Sequence, residues 1–427
     1  MLSARAATDP AASGPFTASQ QSVGIPGMQG ATLTTDVYFP SITPGNVDPA
    51  AAPCPVIVLG HGFSQSKAQH VNQGLHLATR GFIVLIPNFN AASDHSRNAD
   101  ELRKCLDWIE ARHADAASIF FGKVRLARCG ATGHSAGGLS AILAAARDAR
   151  IRVLAPMDPV DNASLGVNAL PGVNIPIAIT HSEASSCNSS GSAETLAATA
   201  HAPKRVLKII GANHTDPQDP AGFLSILTCG SANSARQTLY RRYLTGWFEY
   251  YLHGDLSYAP WIFNLPGGQL AVDLAAGKIT DTESPAPLAA WKAVQFGPAA
   301  GDPAIAGNDA DPDADGLRNL VEYGTGSDPF APSALPVVST IASHLALTFS
   351  RNSLATDLTL TVQGSDDSTT WLDLARSTTG SAFTPLVVGV NVSESGPGPL
   401  RTVEVRDLYL TTDSAHPRRF LRLLARP

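Results

Sequence analysis

What is scarce in this chain narrows its class first. Charged residues make up only 15% of the 427, and the formal net charge is −6. Nucleic acids and anionic membrane surfaces call for clustered Lys and Arg, so neither is an expected partner. Long apolar runs are also missing. A bilayer span needs roughly 20 consecutive apolar residues, whereas the longest candidate here, 55–59, is strand-sized and implies no transmembrane segment. The five cysteines include no CxxC pair, which argues against a zinc ribbon or a thioredoxin-type site. Met1-Leu2-Ser3-Ala4-Arg5 lacks the apolar core of a secretory signal. The expectation is an exported protein whose signal peptide is absent from this sequence.

What is present is alternation. Strand patterns fall at 32–39, 55–59, 81–86, 124–131, 153–155, 175–180 and 206–210, with helical periodicity at 75–80, 99–111, 139–147 and 233–252. The unbroken apolar run 55–59 suits a strand covered on both faces. Strands separated by helices predict an α/β fold with a doubly wound, mostly parallel sheet. Residues 276–306 are rich in Ala, Pro and Gly with little periodicity and read as linker. Beyond them, 307–330 is an acidic segment. Residues 331–427 carry short strand patterns at 344–350, 357–363, 401–408 and 419–424, which predicts a small all-β sandwich. The expected domains are therefore 1–275, catalytic, and 331–427, a β module.

Gly133-His134-Ser135-Ala136-Gly137 matches G-x-S-x-G, the strained strand-to-helix turn that lifts a serine nucleophile above a sheet. A strand pattern precedes it and an Ala-rich helix follows, so the context is that of an α/β-hydrolase with Ser135 as nucleophile. A tetrahedral intermediate needs backbone N–H donors aimed at its oxyanion. The amide after the nucleophile, Ala136, supplies one. The Phe63 amide, in Gly60-His61-Gly62-Phe63 after an earlier strand, supplies the other. In this fold the order is nucleophile, acid, base. Of the 12 histidines, His214 in Gly211-Ala212-Asn213-His214-Thr215-Asp216 follows the last core strand and is the expected base. Two carboxylates compete for the acid. Asp158 follows the strand after the elbow helix and is preferred, while Glu183 follows the next strand and is the alternative.

These residues carry a resemblance. From about 14 to 258 the chain resembles the bacterial polyester hydrolases, cutinases and poly(ethylene terephthalate) hydrolases. The similar stretches are Gly14-Pro15-Phe16-Thr17, Phe121-Gly122-Lys123-Val124, Ala127-Arg128, His214 and residues 243–258. Asp158-Pro159-Val160 is also similar to the chlorophyllase and platelet-activating-factor acetylhydrolase branch, which uses that aspartate as the acid. Where polyester hydrolases carry Glu-Asn-Asp, this chain has Glu183-Ala184-Ser185. Where many of them carry aromatics against the substrate, it has His134 and Met157. The resemblance implies these two as substrate-binding positions and a weaker aromatic clamp.

Asp311, Asp313, Asp315, Gly316, Leu317, Asn319 and Glu322 fit the twelve-residue calcium loop D-x-[DN]-x-[DN]-G-x5-E. Alternating aspartates aim oxygens at one point, Gly316 permits the turn, the Leu317 carbonyl and Asn319 contribute, and Glu322 closes the site. The segment resembles calcium-bound stretches preceding C-terminal β modules of secreted bacterial enzymes. Cys187 and Cys229 flank the acid and base loops, and a disulfide between them is expected, which implies an oxidising compartment. Cys105 and Cys129 either pair or stay buried thiols, and Cys54 is unassigned. Together these readings predict a secreted, monomeric serine esterase without organic cofactor, containing calcium and acting on an ester substrate, polymeric if the resemblance extends to substrate. An esterase acting on lipids or tetrapyrroles is the alternative, and a non-catalytic binding protein on a hydrolase scaffold is the alternative from another class.

Overall fold

The computed structural model describes residues 7–43, 45–201, 203–396 and 398–427. The first six residues, where the missing signal was read, lie outside them. Two compact units result, one ending at Pro285 and one beginning at Ala286.

The first unit is built on one ten-stranded sheet. Its strands are β1 (Thr17–Pro26), β2 (Thr32–Thr43), β3 (Asn46–Val47), β4 (Cys54–Gly60), β5 (Ile83–Pro87), β6 (Val124–His134), β7 (Ile151–Met157), β8 (Ile177–His181), β9 (Lys204–Ile209) and β10 (Ile279–Ser284). They lie in the order β1-β2-β5-β4-β6-β7-β8-β9-β10, with β3 on β2. The six from β5 to β9 run parallel. Residues of β4 and β5 are buried throughout, because each has a strand on either side and helices over both faces. The helices are α1 (Val71–Thr79), α2 (His95–Ala114), α3 (Ala136–Arg147), α4 (Leu165–Ala169), α5 (Ser192–Thr199), α6 (Phe223–Cys229), α7 (Ser234–Phe248), α8 (Ala259–Ile262) and α9 (Gln269–Ala275). Helix starts follow local chemistry: the Asp94 side chain accepts the Arg97 amide ahead of α2, and Asn233 accepts the Ala235 and Arg236 amides ahead of α7.

Register decides where chemistry gathers. Gly60 pairs with Gly133, His134 with Met157, and Met157 with Thr180. The carboxyl ends of β4, β6, β7 and β8 are thus level, and the loops that leave them share one edge of the sheet.

Both outer strands escaped the sequence reading. β1 (TASQQSVGIP) and β10 (ITDTES) each pair antiparallel at a sheet margin and expose much of their length, so polar side chains replace the apolar run of a central strand. Residues 276–306 are accordingly not a linker. They hold β10, which extends the sheet of the first unit, and α10 (Pro287–Phe296), which belongs to the second unit.

That second unit contains α10, α11 (Asn319–Thr325) and two four-stranded antiparallel sheets. Its strands are β11 (Val337–Ile341), β12 (His344–Asn352), β13 (Thr359–Ser365), β14 (Leu372–Thr378), β15 (Thr384–Pro385), β16 (Asn391–Ser395), β17 (Leu400–Leu410) and β18 (Phe420–Arg426). One sheet runs β11-β12-β17-β16 and the other β15-β14-β13-β18. Leu347, Phe349, Val403 and Val405 from one and Leu360, Val362 and Leu374 from the other share a single core, as a sandwich requires.

In the first unit, Leu139 on α3 is fully buried in the core cluster. Leu139→Ala should cost about 2–5 kcal/mol, read as a lowered urea midpoint with an unchanged slope.

Candidate active site

The turn from β6 into α3 is tight enough that side chains are excluded by backbone. A Cβ on Gly137 would lie 2.1 Å from the Gly60 oxygen and 2.5 Å from the His61 oxygen, and one on Gly133 would lie 2.3 Å from the Gly137 oxygen. Only glycine fits either position. Ser135 between them has φ 56° and ψ −123°, a left-handed-side conformation costly for a residue with a Cβ. Backbone bonds hold it there: its amide donates to Met157 O at 3.2 Å, and its carbonyl accepts from Leu139 and Val160.

The Ser135 hydroxyl donates to His214 Nε2 at 2.9 Å. His214 Nδ1 donates to Asp158 Oδ2 at 2.6 Å. Ser135 is 8% exposed, His214 7% and Asp158 0%, so the hydrogen-bonded row runs from the surface inward. Burial raises the Asp158 carboxyl. The hydrogen bond and charge of His214, with the Ser182 side chain and amide, outweigh it and leave the group below its ordinary value. Ser182 Oγ donates to Asp158 Oδ2 at 2.5 Å and Ser182 N to Oδ1 at 3.2 Å. The Asn188 side-chain amide lies 3.4 Å from both carboxylate oxygens. Sequence reasoning missed these two supports. Ser182 was visible at the end of β8, but nothing in the sequence says that a hydroxyl there turns back toward Asp158.

Glu183, the alternative acid, is 42% exposed on its side chain, pairs with Lys208 Nζ at 2.6 Å and accepts the Gly211 amide at 3.1 Å. Both contacts join it to β9 and the loop after it, and no hydrogen bond among the described residues links its side chain to His214. His134 and Met157, expected to touch substrate, are each only 1% exposed. The His134 ring lies 4.6 Å from that of His214, centroid to centroid, and the Met157 sulfur accepts from Gln73 at 3.7 Å. Both are enclosed by protein in this structure. Burial, then the neighbouring His214 and His70, keeps the His134 imidazole well below its ordinary value and so neutral.

The loop carrying Phe63 packs directly on the nucleophile: a Cβ on Gly62 would meet Ser135 Cβ at 3.4 Å. His61 fixes this loop, donating from Nδ1 to Gly62 O at 2.9 Å and accepting the Phe89 amide on Nε2 at 3.0 Å. No hydrogen bond among the described residues engages the Phe63 amide. Cys187 and Cys229 form a disulfide, while Cys54, Cys105 and Cys129 are buried thiols.

In the second unit, one oxygen each of Asp311, Asp313 and Asp315 lie within 4.8 Å of one another. Gly316 turns the chain at φ 94°. Glu322 on α11 is fully buried, and neither of its carboxylate oxygens has a hydrogen-bond partner; the buried Asn319 Oδ1 likewise has none. Burial, then the charges of Asp313, Asp315, Asp311 and Asp328, pushes the Glu322 carboxyl up to about 8.

Because folding depresses the Asp158 pKa, this group adds stability that is complete above its unfolded value of about 4 and fades as pH falls through the lower folded value. Asp158→Asn should therefore flatten the acid limb of stability against pH, measured by fluorescence-detected denaturation. Superimposable acid limbs would contradict the assignment of these partners.

None of the curated proteins compared with the chain matches it. The sequence model of PET hydrolase-like proteins matches residues 4–266, a stretch that takes in the elbow, the loop of Phe63, and both Asp158 and His214. Matched over well over half of its 427 residues, the chain belongs to the PET hydrolase-like family of α/β-hydrolases.

Proposed function

We propose that this protein is a secreted, monomeric serine esterase that cleaves carboxylic esters, polyesters among them, through an acyl-enzyme on Ser135. The observation that carries the reading is the continuous row from Ser135 Oγ through His214 to Asp158, at 2.9 and 2.6 Å. Such spacing lets imidazole take the serine proton while the carboxylate holds the ring's tautomer.

In the first step Ser135 Oγ attacks the ester carbonyl carbon, and its proton passes to His214 Nε2. The carbonyl oxygen becomes an oxyanion, held by the Phe63 and Ala136 amides. The carbon–oxygen bond to the alcohol breaks as His214 returns the proton to the departing oxygen. Water then attacks the acyl-enzyme, His214 takes its proton, and collapse releases the acid and restores Ser135. No organic cofactor enters this sequence. The disulfide supports export to an oxidising compartment, and no helix among the described residues is long and apolar enough to cross a membrane.

Ser135→Ala should abolish turnover of p-nitrophenyl butyrate and of a polyester film. Asp158→Asn should lower kcat by about 10^4, whereas Glu183→Gln should change it less than tenfold. A Glu183→Gln enzyme as damaged as Asp158→Asn would move the acid role to the later strand.

The acidic loop fits a hard divalent cation. Asp311, Asp313, Asp315 and Glu322 supply carboxylates, and the Leu317 carbonyl and Asn319 Oδ1 supply neutral oxygens, the set that calcium selects. A buried, unpartnered carboxylate such as Glu322 is costly alone, and a cation would supply its missing partner. Calcium would serve as a structural ion in the second unit, outside the ester chemistry. Titration calorimetry should show one calcium bound, and Glu322→Gln should weaken it at least tenfold. Absence of binding heat, with proteolysis near residues 300–330 unchanged by EDTA, would reduce the loop to an acidic spacer.

A further inference from the structure

Helix α6 is built inside out. A surface helix ordinarily turns its apolar residues inward and its polar ones to water. Here the buried residue is Ser225, at 6% exposure, while Phe223, Leu224, Ile226 and Leu227 stand 82%, 53%, 38% and 71% exposed. The inward serine is fully engaged. Its hydroxyl accepts from Gln65 Nε2 and from Gln218 Nε2, and its carbonyl accepts from Thr215 Oγ1 at 3.1 Å. Contiguous apolar exposure of this kind marks an interaction surface.

The fastenings say which surface it adjoins. Gln65 is two residues from Phe63, Thr215 follows His214, and Cys229 at the end of α6 is bonded to Cys187, next to Asn188. The apolar face is thereby tied to three of the segments around Ser135, those of Phe63, His214 and Asn188. Its chemistry narrows the occupant. No Asp, Glu, Lys or Arg occurs from residue 220 to 235, nor any Trp or Tyr. A phospholipid surface is ordinarily met by Lys or Arg flanking the apolar face, and this stretch has none. An uncharged, water-poor solid asks for neither.

Building on the esterase reading, we propose that the exposed face of α6 is a docking surface for an insoluble, uncharged polyester, holding the polymer beside Ser135 while one of its esters enters the site. Phe223 and Leu227, the most exposed members, dominate the contact. Each removes apolar area from water only when the solid is present, so soluble esters gain nothing from them.

The test compares wild type with Phe223→Ser/Leu227→Ser on a polycaprolactone film, on phosphatidylcholine vesicles and on soluble p-nitrophenyl butyrate. The variant should partition onto the film at least about tenfold less and hydrolyse it correspondingly more slowly. Its kcat/KM on the soluble ester should stay within about twofold, and its melting temperature should hold, since both side chains are in water. Phe223→Leu should retain film binding. Unchanged film partitioning would overturn the proposal. So would an equal loss of vesicle binding, which would make a lipid surface the occupant, or a wild-type dimer in light scattering that the variant abolishes. Failure of the wild type on p-nitrophenyl butyrate would instead sink the esterase reading, and film partitioning would still decide the docking face.

Discussion

Everything at this site depends on a backbone-to-backbone contact between the end of β4 and the first turn of α3. Gly137 approaches Gly60 so closely that a single added carbon would overlap the carbonyl group. That contact presses the loop of His61, Gly62 and Phe63 onto Ser135. Ser135, in the turn from β6 into α3, has φ 56°. A strained residue of this sort costs on the order of 1–3 kcal/mol. It persists because the amide and carbonyl of Ser135 are bonded to the end of β7 and the loop after it, and to α3.

The proposed acid, Asp158, is placed by a second constraint, the treatment of a fully buried charge. A carboxylate with no exposure is tolerable only with donors on its oxygens. Asp158 has them from His214, Ser182 and Asn188. The same donors that make the charge affordable also fix the orientation of the imidazole that faces Ser135. Glu183 shows the contrast: half in water and paired with Lys208, it needs no such arrangement and holds a loop in place. The disulfide joins the Asn188 segment, which supports Asp158, covalently to α6.

Much of this was legible in the sequence where burial and chemistry leave a local mark. The central strands read directly because residues covered on both faces must be apolar. Ser135 read directly because an elbow needs glycines at fixed offsets. His214 was chosen, and Asp158 preferred over Glu183, from their places after β9 and β7 of the parallel sheet, and the structure joins those two side chains by a hydrogen bond. The margins did not read. β1 and β10 are half in water and polar, so they carry no apolar run, and 276–306 passed for linker. His134 and Met157 were read by family position as substrate contacts, yet depth is a property of tertiary packing, and both are buried. Ser182 and Asn188 left no signal because any loop hydroxyl or amide could have stood there. Helix α6 was invisible as a helix, since its apolar residues follow no inward stripe.

The central claim is that His214 and Asp158 activate the Ser135 hydroxyl, and covalent trapping tests it most directly. The full-length protein would be treated with a p-nitrophenyl alkylphosphonate and the adduct located by peptide mass spectrometry. The account predicts one stoichiometric phosphonyl group on Ser135, with labelling slowed by orders of magnitude in His214→Ala and Asp158→Asn. Labelling at a different residue, or at Ser135 with undiminished rate in either variant, would contradict it.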